Sequence, residues 1–178
     1  GADPGAIGVG GVYEKTLNLE IGLKLRSAFQ KAGYKVIMTR SDDRSIYSAG
    51  NLTLATQKNS DLNNRVAIIQ SHPKAFFISI HQNDSDDSTY SGTQVYYSAN
   101  KPGSETLAEL IQSQIEQDLE PTNKRQIHTQ EDLRVLKDAT IPAVLVECGF
   151  ISNASDAAEL QNGTYQDRLV ADMNKAAD

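Results

Sequence analysis

The chain has 178 residues, a formal net charge of −6 and a pI near 5.1, with 39% hydrophobic and 22% charged residues. That length suits one soluble globular domain with a core of its own, and the acidic balance without Lys/Arg clusters argues against nucleic acid or an anionic membrane surface as the main partner. No apolar run reaches the ~18 residues of a membrane span, and the single Cys148 excludes an internal disulfide.

The sequence opens at GADPGAIG without a Met, as a processed or trimmed chain would, and residues 1–13 read as a Gly-rich loop. Gly8 and Gly10 do not make a dinucleotide fingerprint, because the third glycine position is Tyr13 and no strand precedes them. Leu17, Ile21, Leu25, Ala28 and Phe29 recur at helical spacing and predict a helix over 16–32, stopped by Gly33, with Glu14 just ahead of its positive end. A strand is expected over 34–40, then a long polar loop over 41–60. A short helix follows over 62–70, with Leu62, Val66 and Ile69 inward.

Residues 75–83, AFFISIHQN, form an apolar run that ends on His81; a strand covered on both faces is expected. Residues 84–90 read as a polar loop that lacks the Gly and terminal Glu of a calcium loop. A strand over 92–98 follows, then a helix over 105–119 with Ser104 as its N-cap. After a polar loop over 120–132, a short strand is expected over 133–136 and a buried strand over 143–148. Helices are expected over 155–160 and 165–176. Strands alternate with helices, so the expected class is α/β, with helices on both faces of one sheet in one domain.

The strands at 75–83 and 143–150 share one shape: each is apolar until it ends on a single polar group, His81 or Glu147. Ligands bind at the carboxyl ends of strands in open α/β sheets. Set side by side, this imidazole and carboxylate suggest a metal site with a general base, or an acid–base pair. By position alone His81 also fits a strand cap bonded to backbone, Glu147 a carboxylate paired with an Arg, and Glu14 a solvated first-turn acid. His72 lies too far along the strand to share a metal with His81 and reads as surface. His128 reads as an exposed loop residue. The SxxK match at 71–74 has no SDN or KTG partner and counts as chance.

Several stretches resemble the zinc-dependent N-acetylmuramoyl-L-alanine amidases of the amidase-3 type. They are DPGAIG at 3–8, Glu14 with the LNL at 17–19, MTR at 38–40, NRVAI at 64–68, FISIHQN at 77–83, GTQVYY at 92–97 and IPAVLVECGFISN at 141–153. They run in order over nearly the whole chain. The resemblance implies a three-layer α/β/α fold around a mixed, mostly parallel sheet. It implies Zn2+ as cofactor, Glu14 and His81 as metal ligands, and Glu147 as the catalytic base. It places the family's first strand and first His ligand in a DPGHGG-type segment immediately ahead of Gly1, leaving two ligands in this sequence.

The implied reaction is hydrolysis of the bond between N-acetylmuramic acid and the L-alanine of the peptidoglycan stem, outside the cytoplasm. The wording IHQN and GTQVYY resembles the spore-cortex, germination branch. No autoinhibitory helix interrupts the stretch between Tyr97 and Glu147, so an open site or control by a protein partner is expected. With no wall-binding module and a negative charge, targeting is expected to come from elsewhere. Two other classes stay open: a non-catalytic wall-binding or partner-dependent module, and a metal hydrolase of small amides.

Overall fold

The computed structural model describes residues 3–50 and 53–177. Gly1, on which the reading of a preceding ligand segment falls, lies outside the described residues. The first ordered feature is a 3-10 turn at Val9–Gly11, followed by α1 (Glu14–Lys31). Helix α1 buries Leu17, Ile21, Leu25 and Phe29 along one stripe, as their spacing predicts. It ends where Gly33 takes φ +96°. There Tyr34 N–H bonds back to Phe29 O at 2.9 Å and closes the helix end.

The strand expected over 34–40 does not form. Tyr34, Val36 and Met38 are half-buried while Lys35 and Ile37 are exposed, so the alternation of a strand is present. What is missing is a ladder partner among the described residues. The loop expected over 41–60 is shorter than expected, because α2 (Leu54–Gln70) starts eight positions before Leu62. Its first turns carry almost no inward apolar side chain and so hid from a periodicity argument. They rest instead on good helix formers and on the Thr53 side chain, which accepts from Thr56 N–H. Val66 and Ile69 are buried and Leu62 is half-buried, as expected.

The sheet contains β1 (Phe77–Asn83), β2 (Gln94–Tyr97), β3 (His128–Thr129) and β4 (Ala143–Phe150), in the order β1-β4-β2-β3. β1 and β4 are parallel, β4 and β2 antiparallel, β2 and β3 parallel. The mixed, mostly parallel sheet is therefore observed. β4 is the central strand and is buried almost throughout, which explains its continuous apolar run. β1 is an edge strand of this sheet and only half-buried, so the expectation of full cover on both faces is not met.

Helices α1, α3 (Ser104–Asp118) and α6 (Gly163–Ala176) pack on one face of the sheet in the larger core, with Val95, Val144, Val146 and Cys148. α2 and the short α4 (Arg134–Lys137) cover the other face around Ala143 and Leu145. The result is the three-layer arrangement. α5 (Ala154–Leu160) follows β4 directly.

Two local expectations are corrected. Residues 133–136 belong to a helical turn rather than a strand, because Arg134 and Asp138 pair at helical spacing while Val135 and Leu136 turn inward. Ser104 does not cap α3. Gly103 holds the cap position at φ +88°, and the buried Ser104 hydroxyl accepts from Ala143 N–H at 3.0 Å, tying α3 to β4.

Candidate active site

Parallel pairing of β1 with β4 sets His81 directly beside Glu147. Both leave the sheet on the face that carries Phe77 and Leu145, just past the end of the core formed there. Glu14 arrives from the opposite layer as the first residue of α1. Its Oε1 lies 2.9 Å from His81 Nδ1 and also accepts from Asn18 Nδ2 at 3.1 Å and Gln82 N–H at 3.4 Å. Its Oε2 accepts from Ala6 N–H at 2.9 Å. The structure thus brings together the three residues singled out in the sequence. His81 is a partner of a carboxylate, not of the backbone, and Glu14 is a buried acid at 9% exposure, not a solvated one, with three contacts at Oε1 and one at Oε2.

Several of the motif residues hold this corner in place. Gly5 takes φ +70°, and a Cβ there would collide with the Glu14 carboxylate. Arg40 donates to Lys15 O at 2.6 Å and to Asp42 O at 3.0 Å, fixing the first turn of α1 against the segment that follows MTR. Asp61 and Asn64 bond to the N–H and C=O of Ile46, pinning that segment to α2. Gln82 donates to Asn18 Oδ1 at 3.1 Å, so the residue after His81 is also tied to α1. Asn153 caps α5, and Asp156 accepts from both Gly92 N–H and Phe150 N–H at 2.8 Å.

The two carboxylates have opposite electrostatics. Burial pushes Glu14 up, but the hydrogen bond and charge of His81 outweigh it, with Ala6 N–H and the Asn18 amide adding to them, and hold the group at about 2. Glu147 is pushed up to about 7 by burial; His81 pulls the other way and Glu14 adds to the rise. Among the described residues no cation pairs with Glu147, and its buried Oε2 has no hydrogen-bond partner. Such an oxygen is costly to bury without a use. Two acids whose surroundings drive their protonation apart are the arrangement acid–base chemistry needs.

The donor set is right for zinc, which takes His nitrogen and carboxylate oxygen. Glu14 and His81 fit as two of its ligands. Among the described residues no group of three or more His, Cys, Asp or Glu side chains is placed to hold a metal. His72 is half-buried, its Nδ1 sharing hydrogen bonds with Ile68 O and the Ser71 hydroxyl, and His128 lies exposed in β3; neither joins the site.

The sequence reading missed Gln94, which lies opposite Glu147 in the antiparallel β2–β4 pair. A glutamine ahead of the VYY run was the available signal. That this strand is Glu147's neighbour became visible only with the strand order.

The N-acetylmuramoyl-L-alanine amidase family (Amidase_3) matches residues 1–178. This chain belongs to the N-acetylmuramoyl-L-alanine amidase family. The germination-specific N-acetylmuramoyl-L-alanine amidase of Bacillus subtilis is 33% identical over 98% of this chain and 73% of its own length. The B. subtilis amidase LytC is 34% identical over 93% of this chain, which spans 30% of that longer protein. Among solved structures, the CwlD amidase from Clostridioides difficile in complex with the GerS lipoprotein superposes with a TM-score of 0.95 at 37% identity. That match covers 99% of this chain and 91% of the other. The catalytic domain of the amidase CwlV from Bacillus (Paenibacillus) polymyxa var. colistinus gives 0.80 at 29% identity, over 99% of this chain and 90% of that one. The amidase family therefore accounts for both the fold and the spore-branch wording of the sequence.

Proposed function

We propose that this amidase hydrolyses the amide between the lactyl group of N-acetylmuramic acid and the L-alanine of the peptidoglycan stem. The observation that carries the reading is the convergence of Glu14, His81 and Glu147, with Glu147 Oε2 left without a hydrogen-bond partner. Glu14 and His81 would hold a zinc ion. When bound, zinc supplies polarisation of the scissile carbonyl and acidification of water, both of which an amide requires.

The chain's own residues do the rest. Glu147 takes the proton of the attacking water and returns it to the departing L-alanine nitrogen, a role open to a carboxyl whose buried oxygen has no other partner. Glu14 is kept ionised by its donors, the state in which a carboxylate holds a metal. Gln82 and Asn18 keep α1 and β1 in register around the Glu14–His81 contact.

The substrate places the protein outside the cytoplasm. A lipoprotein partner is a reasonable source of targeting or control, since the CwlD amidase was solved in complex with the GerS lipoprotein. No helix among the described residues is long and apolar enough to cross a membrane.

Peptidoglycan digestion with identification of the new ends tests the reaction, with zinc stoichiometry measured on the same protein. The expected result is free L-alanine amino termini without new reducing sugar ends, and about one zinc per chain. New sugar ends, or no digestion by zinc-loaded protein, would overturn the reading.

A further inference from the structure

The polar row at the sheet end does not stop at Glu147. Gln94, directly opposite it, has a side chain fixed from several directions. Gln94 Nε2 donates to Gln126 O at 2.9 Å; its Oε1 accepts from Tyr96 OH at 3.3 Å and from Arg125 Nη1 at 3.4 Å. Directly opposed Cβ atoms lie about 4.5–5.5 Å apart. The Arg125 guanidinium is thus one side chain away from the catalytic acid.

Arg125 is a pre-set cation. Its Nε donates to Ser91 O at 2.8 Å, and its guanidinium carbon sits 4.4 Å from the Phe150 ring centre and 5.5 Å from that of Tyr90. These contacts use two of its five N–H groups. None of its hydrogen bonds goes to a carboxylate, unlike those of Arg44, Arg65 and Arg134, which each pair with a nearby Asp. The guanidinium borders a cleft of about 580 Å³ that Lys124 and Arg168 share with Glu120, Asp156 and Glu159; the first two of these acids already accept hydrogen bonds from neighbouring N–H and O–H groups. A half-buried arginine stacked on two rings, immobilised and unneutralised beside an acidic site, is arranged to meet an anion.

We propose that Arg125 determines specificity by binding the stem-peptide carboxylate nearest the scissile amide, the α-carboxylate of the second residue. The proposal rests on the amidase reading above. Its physical basis is charge. The chain carries −6 overall, so away from the metal an anionic stem is repelled unless a cation receives it. The planar fork of an arginine matches a carboxylate with two parallel hydrogen bonds, and its stacking lowers the ordering cost of binding.

The test compares N-acetylmuramoyl tetrapeptides that carry the second residue either as D-glutamate, with a free α-carboxylate, or as D-isoglutamine, with an amide. For the unmutated full-length protein the expected KM is about tenfold to a hundredfold lower for the carboxylate stem, the range of a charge-assisted contact. Arg125→Gln raises KM for that stem alone, removes the discrimination and leaves kcat little changed; Arg125→Lys restores part of it. Equal KM for both stems in the unmutated protein overturns the proposal, whether or not the variant folds. So does an equal loss on both stems in a variant with the parental unfolding temperature. If neither stem yields free L-alanine termini, it is the amidase reading that fails.

Discussion

Two glutamates at the ends of this sheet show how differently one side chain can be used. Glu120, just beyond α3, accepts from Thr93 N–H, the Thr93 hydroxyl and Asn123 Nδ2 at 2.8 Å each. It also accepts from Tyr165 OH at 2.8 Å. It ties β2, α3 and α6 together and has no lone pair to spare for chemistry. Glu147, on the neighbouring strand, has a buried oxygen with no partner and a carboxyl raised to about 7. The first carboxylate is structural because its donors are complete; the second is available because they are not. An orphan oxygen is not sufficient, however. Asp172 on α6 also has one, yet its surroundings are Asp118, Arg168 and Lys175, with no imidazole to build a site.

The contrast can be broken most severely at His81. His81→Ala should reduce zinc affinity by more than the about 10–100-fold typical of an outer-shell partner and take hydrolysis with it, read by zinc titration and product analysis. Removing His81 also takes the main partner from the buried Glu14 carboxylate, so a fall in unfolding temperature should accompany the loss.

At Glu120 the expected effect is on stability. Glu120→Ala takes an acceptor from the buried Thr93 N–H, from Asn123 Nδ2 and from Tyr165 OH, leaves the Thr93 hydroxyl only Cys148 O, and should cost about 3 kcal/mol in denaturant unfolding. If the folded variant instead lost only activity, the division between the two glutamates would be wrong.

The pH dependence of stability sharpens the comparison further. Between the ordinary 4.5 and about 7, metal-free folded protein holds a proton at Glu147 that the unfolded chain has released. Stability therefore falls as pH rises through that window, by about 3 kcal/mol, and the fall should disappear in Glu147→Gln. Asp172, raised by burial and then by the Asp118 charge, adds a loss of the same sign between 3.8 and about 6 that Asp172→Asn removes. The smallest expected effect is at the start of α2. Thr53→Ala should cost about 0.5–1 kcal/mol and leave hydrolysis unchanged.

The parts of the fold legible in the sequence were those where burial is one-sided or complete. The Leu17–Ile21–Leu25–Phe29 stripe and the apolar run of β4 announce themselves, and both ends of the His81–Glu147 pair could be read as strands leaving a core. What stayed hidden depends on tertiary partners. The N-terminal half of α2 is held by propensity and a cap rather than by burial. Residues 34–40 alternate like a strand but have no ladder. Ser104 prefers the buried N–H of Ala143 to its own helix. Within the site, residue types pointed to His81 and Glu147, while Gln94 and Arg125 entered only through the antiparallel neighbour of β4.

The most direct measurement is zinc content and hydrolysis read together on Glu147→Gln, with His81→Ala alongside. The account predicts that Glu147→Gln keeps parental zinc and loses about 10²–10⁴-fold in rate, while His81→Ala loses both. Hydrolysis by Glu147→Gln at close to the parental rate, with zinc bound, would contradict it.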